Sequence, residues 1–202
     1  MQGKLVVISA PSGSGKSSLI NALRADFGED KIAYSVSLTT RPPRAGEIDG
    51  RDYHFVSQEE FDRMAGAGEF LEWTRTFGCS YGTSRRLIDE KLRLGVSVIA
   101  DVDVVGASNI KAMDPDAVLV FIVPPSFRVL KKRLLARNTE TPESMEERLT
   151  RVREELSYRG MFDFLVVNDQ FNDAEAQLGT IITKGVGPPM EADSGFWDHF
   201  FD

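Results

Sequence analysis

Residues 10 to 18 read Ala-Pro-Ser-Gly-Ser-Gly-Lys-Ser-Ser directly after the apolar run Leu5-Val6-Val7-Ile8. The run predicts a strand, the glycines a loop, and the pattern Leu19, Ile20, Leu23, Phe27 a helix whose first turn carries Lys16 and Ser17. Such a loop cradles phosphate. Gly13 and Gly15 let backbone N–H groups turn inward, the helix N-terminus adds partial positive charge, Lys16 reaches the outer phosphates, and Ser17 can hold Mg²⁺. Ser12, Gly13, Ser14, Gly15, Lys16, Ser17 and Ser18 are therefore the candidate ATP-binding segment. The general pattern begins with Gly where this chain has Ala10, which leaves the turn to Gly13.

Further apolar runs at Val96 to Val102, Val118 to Val123 and Phe164 to Val167 are short and rich in Val and Ile. Helix-length segments separate them, as in a buried parallel sheet, so the predicted fold class is α/β with a parallel sheet flanked by helices. Helices are expected over 16–27, 84–94, 127–137, 142–159 and 172–183. Thr141 with Pro142 reads as a cap and first-turn pair, and Asn172 with Glu175 as a capping box. Between Ser37 and Tyr81 the texture changes to a turn-rich module with a short helix opened by Ser57 and a strand from Phe70 to Phe77.

Charge narrows the class of partner. Across 202 residues the formal net charge is −7, which argues against wrapping a nucleic-acid backbone. From Ser126 to Arg153, however, eight Lys or Arg face four acids, a local basic cluster suited to a small anionic substrate. No apolar stretch approaches the roughly 20 residues of a membrane span. The start of the chain runs into the loop without an apolar export segment, and there is one cysteine, Cys79, so a cytoplasmic setting is expected. Cys79, His54 and His199 form no nucleophile or metal signature. The segment 186–202 carries four acids and the aromatics Phe196, Trp197, Phe200 and Phe201; it reads as a frayed or loosely docked end in preference to a partner-binding segment.

The loop is followed in order by SVSLTTRPPRAGEIDGRDYHFV, EFLEW, YGTS, ADVDVVGA, RNTETPESMEERL and VVND. This succession resembles the guanylate kinases, closest to bacterial members, over residues 4 to about 184. The resemblance implies a P-loop kinase with an inserted GMP-binding part (37–81), a helical lid (126–159), a core (1–36, 82–125 and 160–185) and the tail 186–202 outside it. It implies transfer of the γ-phosphate of Mg-ATP to GMP, with dGMP as a further acceptor.

Chemistry fits the residues that the resemblance selects. Guanine presents two adjacent donors, N1–H and the 2-amino group, and a carboxylate offers two coplanar acceptors; Glu72 is the candidate, with Ser37, Thr83 and Asp103 around the base. Arg41 and Arg44, on either side of Pro42-Pro43, are candidate forks for the GMP phosphate, joined by the hydroxyls of Tyr53 and Tyr81. Arg133, Arg137 and Arg148 become lid residues that stabilise the transferring phosphoryl group. Asp101, at a strand end, is assigned an indirect Mg²⁺ role through water, and Asn168 a contact with ATP. Ala136 and Asn138 flank Arg137 where the family often has glycines, and Cys79 and Ser80 precede Tyr81 where Asn and an aromatic are common. The expected catalytic set is Lys16, Arg41, Arg133, Arg137 and Arg148. The partners are the small molecules ATP and GMP, without nucleic acid or membrane; monomer and homo-oligomer are equally compatible. A guanylate-kinase-like phosphopeptide module would need no donor-side residues, yet these are present, and a sugar-phosphate kinase would leave Glu72 nothing to read.

Overall fold

A computed structural model of the chain describes residues 3–28, 30–76, 78–136, 142–190 and 194–201. The chain runs β1 (Leu5–Ser9), α1 (Lys16–Phe27), β2 (Ile32–Ser35), β3 (Leu38–Thr39), β4 (His54–Phe55), α2 (Gln58–Gly66), β5 (Phe70–Thr76), β6 (Cys79–Ser84), α3 (Arg85–Arg93), β7 (Ser97–Asp101), α4 (Val104–Met113), β8 (Val118–Val123), α5 (Phe127–Leu135), α6 (Pro142–Ser157), a 3-10 turn (Tyr158–Met161), β9 (Phe164–Val167), α7 (Phe171–Lys184) and α8 (Ser194–Phe200). One sheet has the order β2-β7-β1-β8-β9, with β2–β7 and β8–β9 both parallel; the other has the order β4-β3-β6-β5. Two compact units are built from these elements, Met1–Val7 with Gly28–Ala117 and Ile8–Phe27 with Val118–Asp202.

The α/β class expected from the apolar runs is the one observed, and strand and helix limits fall within one to two residues of the sequence pattern wherever they are described. β2, β3, β4, β6, α4 and α8 have no counterpart among the expected elements. α4 reads Val-Val-Gly-Ala-Ser-Asn-Ile, poor in helix formers; Asp103 starts it by accepting the Gly106 N–H at 2.7 Å. At α7 the expected capping box is corrected: Gln170 is the N-cap without a side-chain bond, and Asn172 already lies inside the first turn. The helix expected to reach 159 ends at Ser157 and tightens into the 3-10 turn. Thr141 and Arg137 lie outside the described residues.

In the first unit, the four-stranded sheet has one packing face and one polar face. Leu38, Phe61 and Phe70 form a buried cluster, with the Phe61 and Phe70 rings stacked at 4.5 Å. Gly82 lies on that side, where a Cβ would come within 2.8 Å of the Phe70 ring. A bulge in β5 then changes the facing of the strand, because Phe70 pairs with Ser84 but Glu72 pairs with Thr83. Cross-strand partners share a face and adjacent residues do not. Two residues of β5 pass against one of β6, so Glu72 moves off the Phe70 side and joins Thr83 and Tyr81.

In the second unit, the C-terminal segment is held rather than loose. Leu165 N–H donates to the Pro188 carbonyl at 3.1 Å and Met190 N–H to the Asp163 carbonyl at 3.2 Å. Phe200 is 1% exposed, Phe201 meets Phe127 at 5.6 Å, and the Arg159 guanidinium lies 4.9 Å from the Trp197 ring centroid. The expectation of a frayed or loosely docked end is therefore corrected: its aromatics are spaced to place Phe200 inward along α8. Deleting residues 186–202 is expected to lower the thermal midpoint by roughly 5–10 °C, through lost apolar burial. Thermal circular dichroism of the truncated and full chains measures it, and an unchanged midpoint would contradict the docking.

Candidate functional site

The loop of the second unit has the conformation its glycines allow. Gly13 and Gly15 have φ of +90° and +88°, values that side-chain-bearing residues rarely adopt, so Gly13 supplies the turn that Ala10 does not. Ser14 N–H closes the turn on the Pro11 carbonyl at 3.1 Å, and α1 begins at Lys16. Ser17 and Ser18 are exposed, Ser12 and Lys16 half-buried. The Ser14 hydroxyl is buried without a hydrogen-bond partner among the described residues.

Side chains from elsewhere in the same unit hold this loop. Asn168, 5% exposed at the end of β9, donates its amide to the Ser14 carbonyl at 2.7 Å. Arg133 in turn donates to the Asn168 carbonyl at 3.1 Å, and Leu134 lies where a Gly13 Cβ would meet it at 3.1 Å. The structure thus brings Arg133 and Asn168 together behind the loop. One N–H of the Asn168 amide holds the loop backbone, a supporting contact that sequence spacing across 154 residues does not reveal. Arg148 is half-buried on α6.

The polar face of the first unit collects the other candidate set. Glu72, 8% exposed, accepts the Thr83 hydroxyl at 2.7 Å on one oxygen. Its other oxygen lies 3.2 Å from the point where a Cβ at Gly106 would stand, and Asp103 Oδ1 lies 3.4 Å from that same point. Gly106 therefore leaves room at the start of α4 for two carboxylates, a requirement sequence reasoning missed. Burial pushes the Glu72 carboxyl up to about 7; the Thr83 bond opposes the shift and the nearby Asp103 charge adds to it. In solvent a strand glutamate is an ordinary anion, whereas here ionisation needs a partner.

Arg41 sits beside this face. Its guanidinium makes a fork to Glu47, Nη2 to Oε1 at 2.8 Å and Nη1 to Oε2 at 3.0 Å, and lies 5.4 Å from the Tyr53 ring and 5.9 Å from the Phe55 ring. Hydrogen bonds from Arg41, then from the Arg44 N–H, hold the Glu47 carboxyl below its ordinary value. Tyr53 and Tyr81 meet edge to face at 6.1 Å. Burial, then the Asp101 charge, raises the Tyr53 phenol, so it remains a donor at neutral pH. Arg44 is exposed, Ser37 half-buried one residue before β3, Asp101 half-buried at the end of β7, and Asp103 the cap of α4. Among the expected acceptor-side residues, Glu72, Thr83 and Asp103 are brought together, as are Arg41, Tyr53 and Tyr81. Glu47 was not singled out; an acid three residues after Arg44, in a turn otherwise carrying arginines, was the available signal.

Comparison with known proteins agrees with this architecture. Residues 2–185 match the family model described as guanylate kinase. The guanylate kinase of Idiomarina loihiensis is 46% identical over 180 residues, 89% of this chain and 86% of that protein. That of Symbiobacterium thermophilum is 44% identical over 181 residues, 90% of this chain and 85% of the relative. The crystal structure of guanylate kinase from Anaplasma phagocytophilum superposes with a TM-score of 0.71 at 32% identity, covering 90% of this chain and 85% of that one. With a phosphate loop, a buried carboxylate on a separate polar sheet face, and a family match across nine-tenths of its length, this chain belongs to the guanylate kinase family.

Proposed function

We propose that the protein transfers the γ-phosphate of ATP to GMP, and also to dGMP, giving ADP and the diphosphate. The observation that carries the acceptor assignment is the buried Glu72, whose ionised form needs two adjacent donors that guanine has and adenine lacks. We assign base recognition to Glu72 with Ser37, Thr83 and Asp103, and the acceptor phosphate to Arg41, Arg44, Tyr53 and Tyr81. The donor phosphates fall to Ser12 through Ser18, with Lys16 countering charge on the outer phosphates. Asn168 supports this loop through the Ser14 carbonyl. We assign residues 37–81 to the GMP-binding part and 126–159 to a lid whose Arg133, Arg137 and Arg148 stabilise the transferring group.

No covalent enzyme intermediate is needed. A GMP phosphate oxygen attacks the γ-phosphorus in line as the bond to the ADP oxygen breaks, so the residues align, neutralise charge and exclude water. Among the described residues no three His, Cys, Asp or Glu side chains gather into a metal cage. The exposed Ser17 hydroxyl is an oxygen donor that fits Mg²⁺ carried mainly by nucleotide phosphates and water, and we assign Asp101 an indirect role through water. When bound, Mg²⁺ neutralises charge on the β- and γ-phosphates.

A coupled assay of ADP formation with GMP, dGMP, AMP, CMP and UMP as acceptors tests the reading. Turnover confined to the guanine nucleotides is the expected outcome. ADP formation with AMP equal to that with GMP, or none with any acceptor, would remove it. No helix among the described residues is long and apolar enough to cross a membrane.

A further inference from the structure

We propose that Glu47 is a positioning residue for the acceptor phosphate, gripping one edge of the Arg41 guanidinium so that its other edge is offered to the nucleotide. The inference rests on the assignment of Arg41 to the GMP phosphate and goes one residue beyond it. A guanidinium has two edges that can hold an oxyanion through paired N–H groups: the Nη1/Nη2 end and the Nε/Nη2 side. Glu47 takes the first edge with both of its oxygens, at 2.8 and 3.0 Å. The Pro42 carbonyl accepts the remaining Nη1 hydrogen at 2.8 Å, so both Nη1 donors are spent. The Nε/Nη2 edge meets no carboxylate or carbonyl among the described residues, and the Tyr81 hydroxyl lies near the guanidinium.

The clamp is anchored at both ends. Glu47 Oε2 also accepts the Arg44 N–H at 2.7 Å, which ties the carboxylate to the backbone of the turn carrying both arginines. On the other side the guanidinium lies over the Tyr53 and Phe55 rings, limiting rotation about the side-chain torsions. An unclamped arginine would lose several rotatable bonds' worth of freedom on gripping phosphate; here that ordering is present before the ligand arrives. Glu47 is also satisfied by partners that a phosphate on the Nε/Nη2 edge does not displace. That arrangement favours positioning over competition for Arg41.

The test compares GMP with guanosine, which shares the base but carries no phosphate. Dissociation constants for both are measured by titration calorimetry on the full chain, for wild type, Glu47→Gln, Arg41→Lys and the double variant. Glu47→Gln turns one acceptor into a donor facing Arg41. It is expected to weaken GMP binding about ten- to hundredfold, while guanosine binding stays within about twofold. In the Arg41→Lys background the same substitution is expected to add little, because the clamp has no fork left to hold. Tighter GMP binding by Glu47→Gln would make Glu47 a competitor and overturn the proposal. Equal weakening of GMP and guanosine would reduce it to support of the fold, and a full additive loss in the double variant would separate it from Arg41. Wild-type protein binding neither ligand would instead remove the GMP assignment itself.

Discussion

Lys16→Met is expected to abolish phosphoryl transfer while leaving the fold intact. Lys16 opens α1 directly after two left-handed glycines, where the helix N-terminus and loop N–H groups already favour anions. Those fixed dipoles bind phosphate in the ground state as well as in the transition state. In the proposed role, the Lys16 ammonium on the outer phosphates adds charge where negative charge develops during transfer. Methionine keeps the apolar stem and most of the length and removes the charge together with its N–H donors. The expected loss in kcat is at least about 10² to 10³-fold, the cost of one positioned donor in a site that excludes water. Single-turnover rates with saturating ATP and GMP measure it, alongside circular dichroism to verify the fold. A kcat unchanged in a folded variant would remove the triphosphate role from this loop.

Glu72→Gln is expected to raise the GMP KM by about 10²-fold or more while leaving the ATP KM near its wild-type value. The reason is the count of acceptors. Thr83 already donates to one Glu72 oxygen, and an amide brings an N–H₂ that meets a guanine donor with another donor. Sites built on such matching discriminate by roughly 10⁴ to 10⁵, so loss of one acceptor removes a large part of that range. Initial-rate kinetics across both substrates measure the split, and an unaffected GMP KM would defeat the base-reading role.

The same residue gives a pH dependence with a definite sign. Burial lifts the Glu72 carboxyl to about 7 from an ordinary 4.5, so the ligand-free protein holds a proton there that the unfolded chain has lost. Its contribution to stability is thus present at low pH and lost as pH rises from 4.5 through about 7. In the proposed role of Glu72, GMP takes the ionised form, whose charge the guanine donors then satisfy. Apparent affinity for GMP is expected to fall about tenfold per unit below pH 7 and to level off above it. Glu72→Gln should lack this component, and comparison with it separates Glu72 from the titration of the GMP phosphate. Parallel pH profiles for the two proteins would assign the dependence elsewhere.

Much of the donor side was legible because its chemistry is local. The glycines, Lys16 and Ser17 are consecutive, and a strand before them with an amphipathic helix after them leaves few ways to arrange the backbone. The buried strands β8 and β9 were equally plain, since residues packed on both faces read as unbroken runs of Val, Leu, Ile and Phe. α4 was hidden for the opposite reason. Its glycine and β-branched residues carry weak local preference, and the Asp103 cap together with burial of Val104, Ala107 and Ile110 decides the helix.

What the amino-acid order determined by itself was the phosphate loop and the α/β alternation; the groups proposed to read guanine and grip phosphate came with the family resemblance. Tertiary structure alone decided where those groups face and what holds them. Strand alternation would put Glu72 beside Phe70 in the apolar cluster, and only the bulge between them carries it to the side of Thr83 and the opening left by Gly106. Likewise the hold of Asn168 on Ser14 joins residues 154 positions apart, and the docking of Phe200 depends on surfaces distant in sequence. Local pattern sets a residue's backbone preference, but its burial, protonation and partners come from neighbours that folding alone supplies.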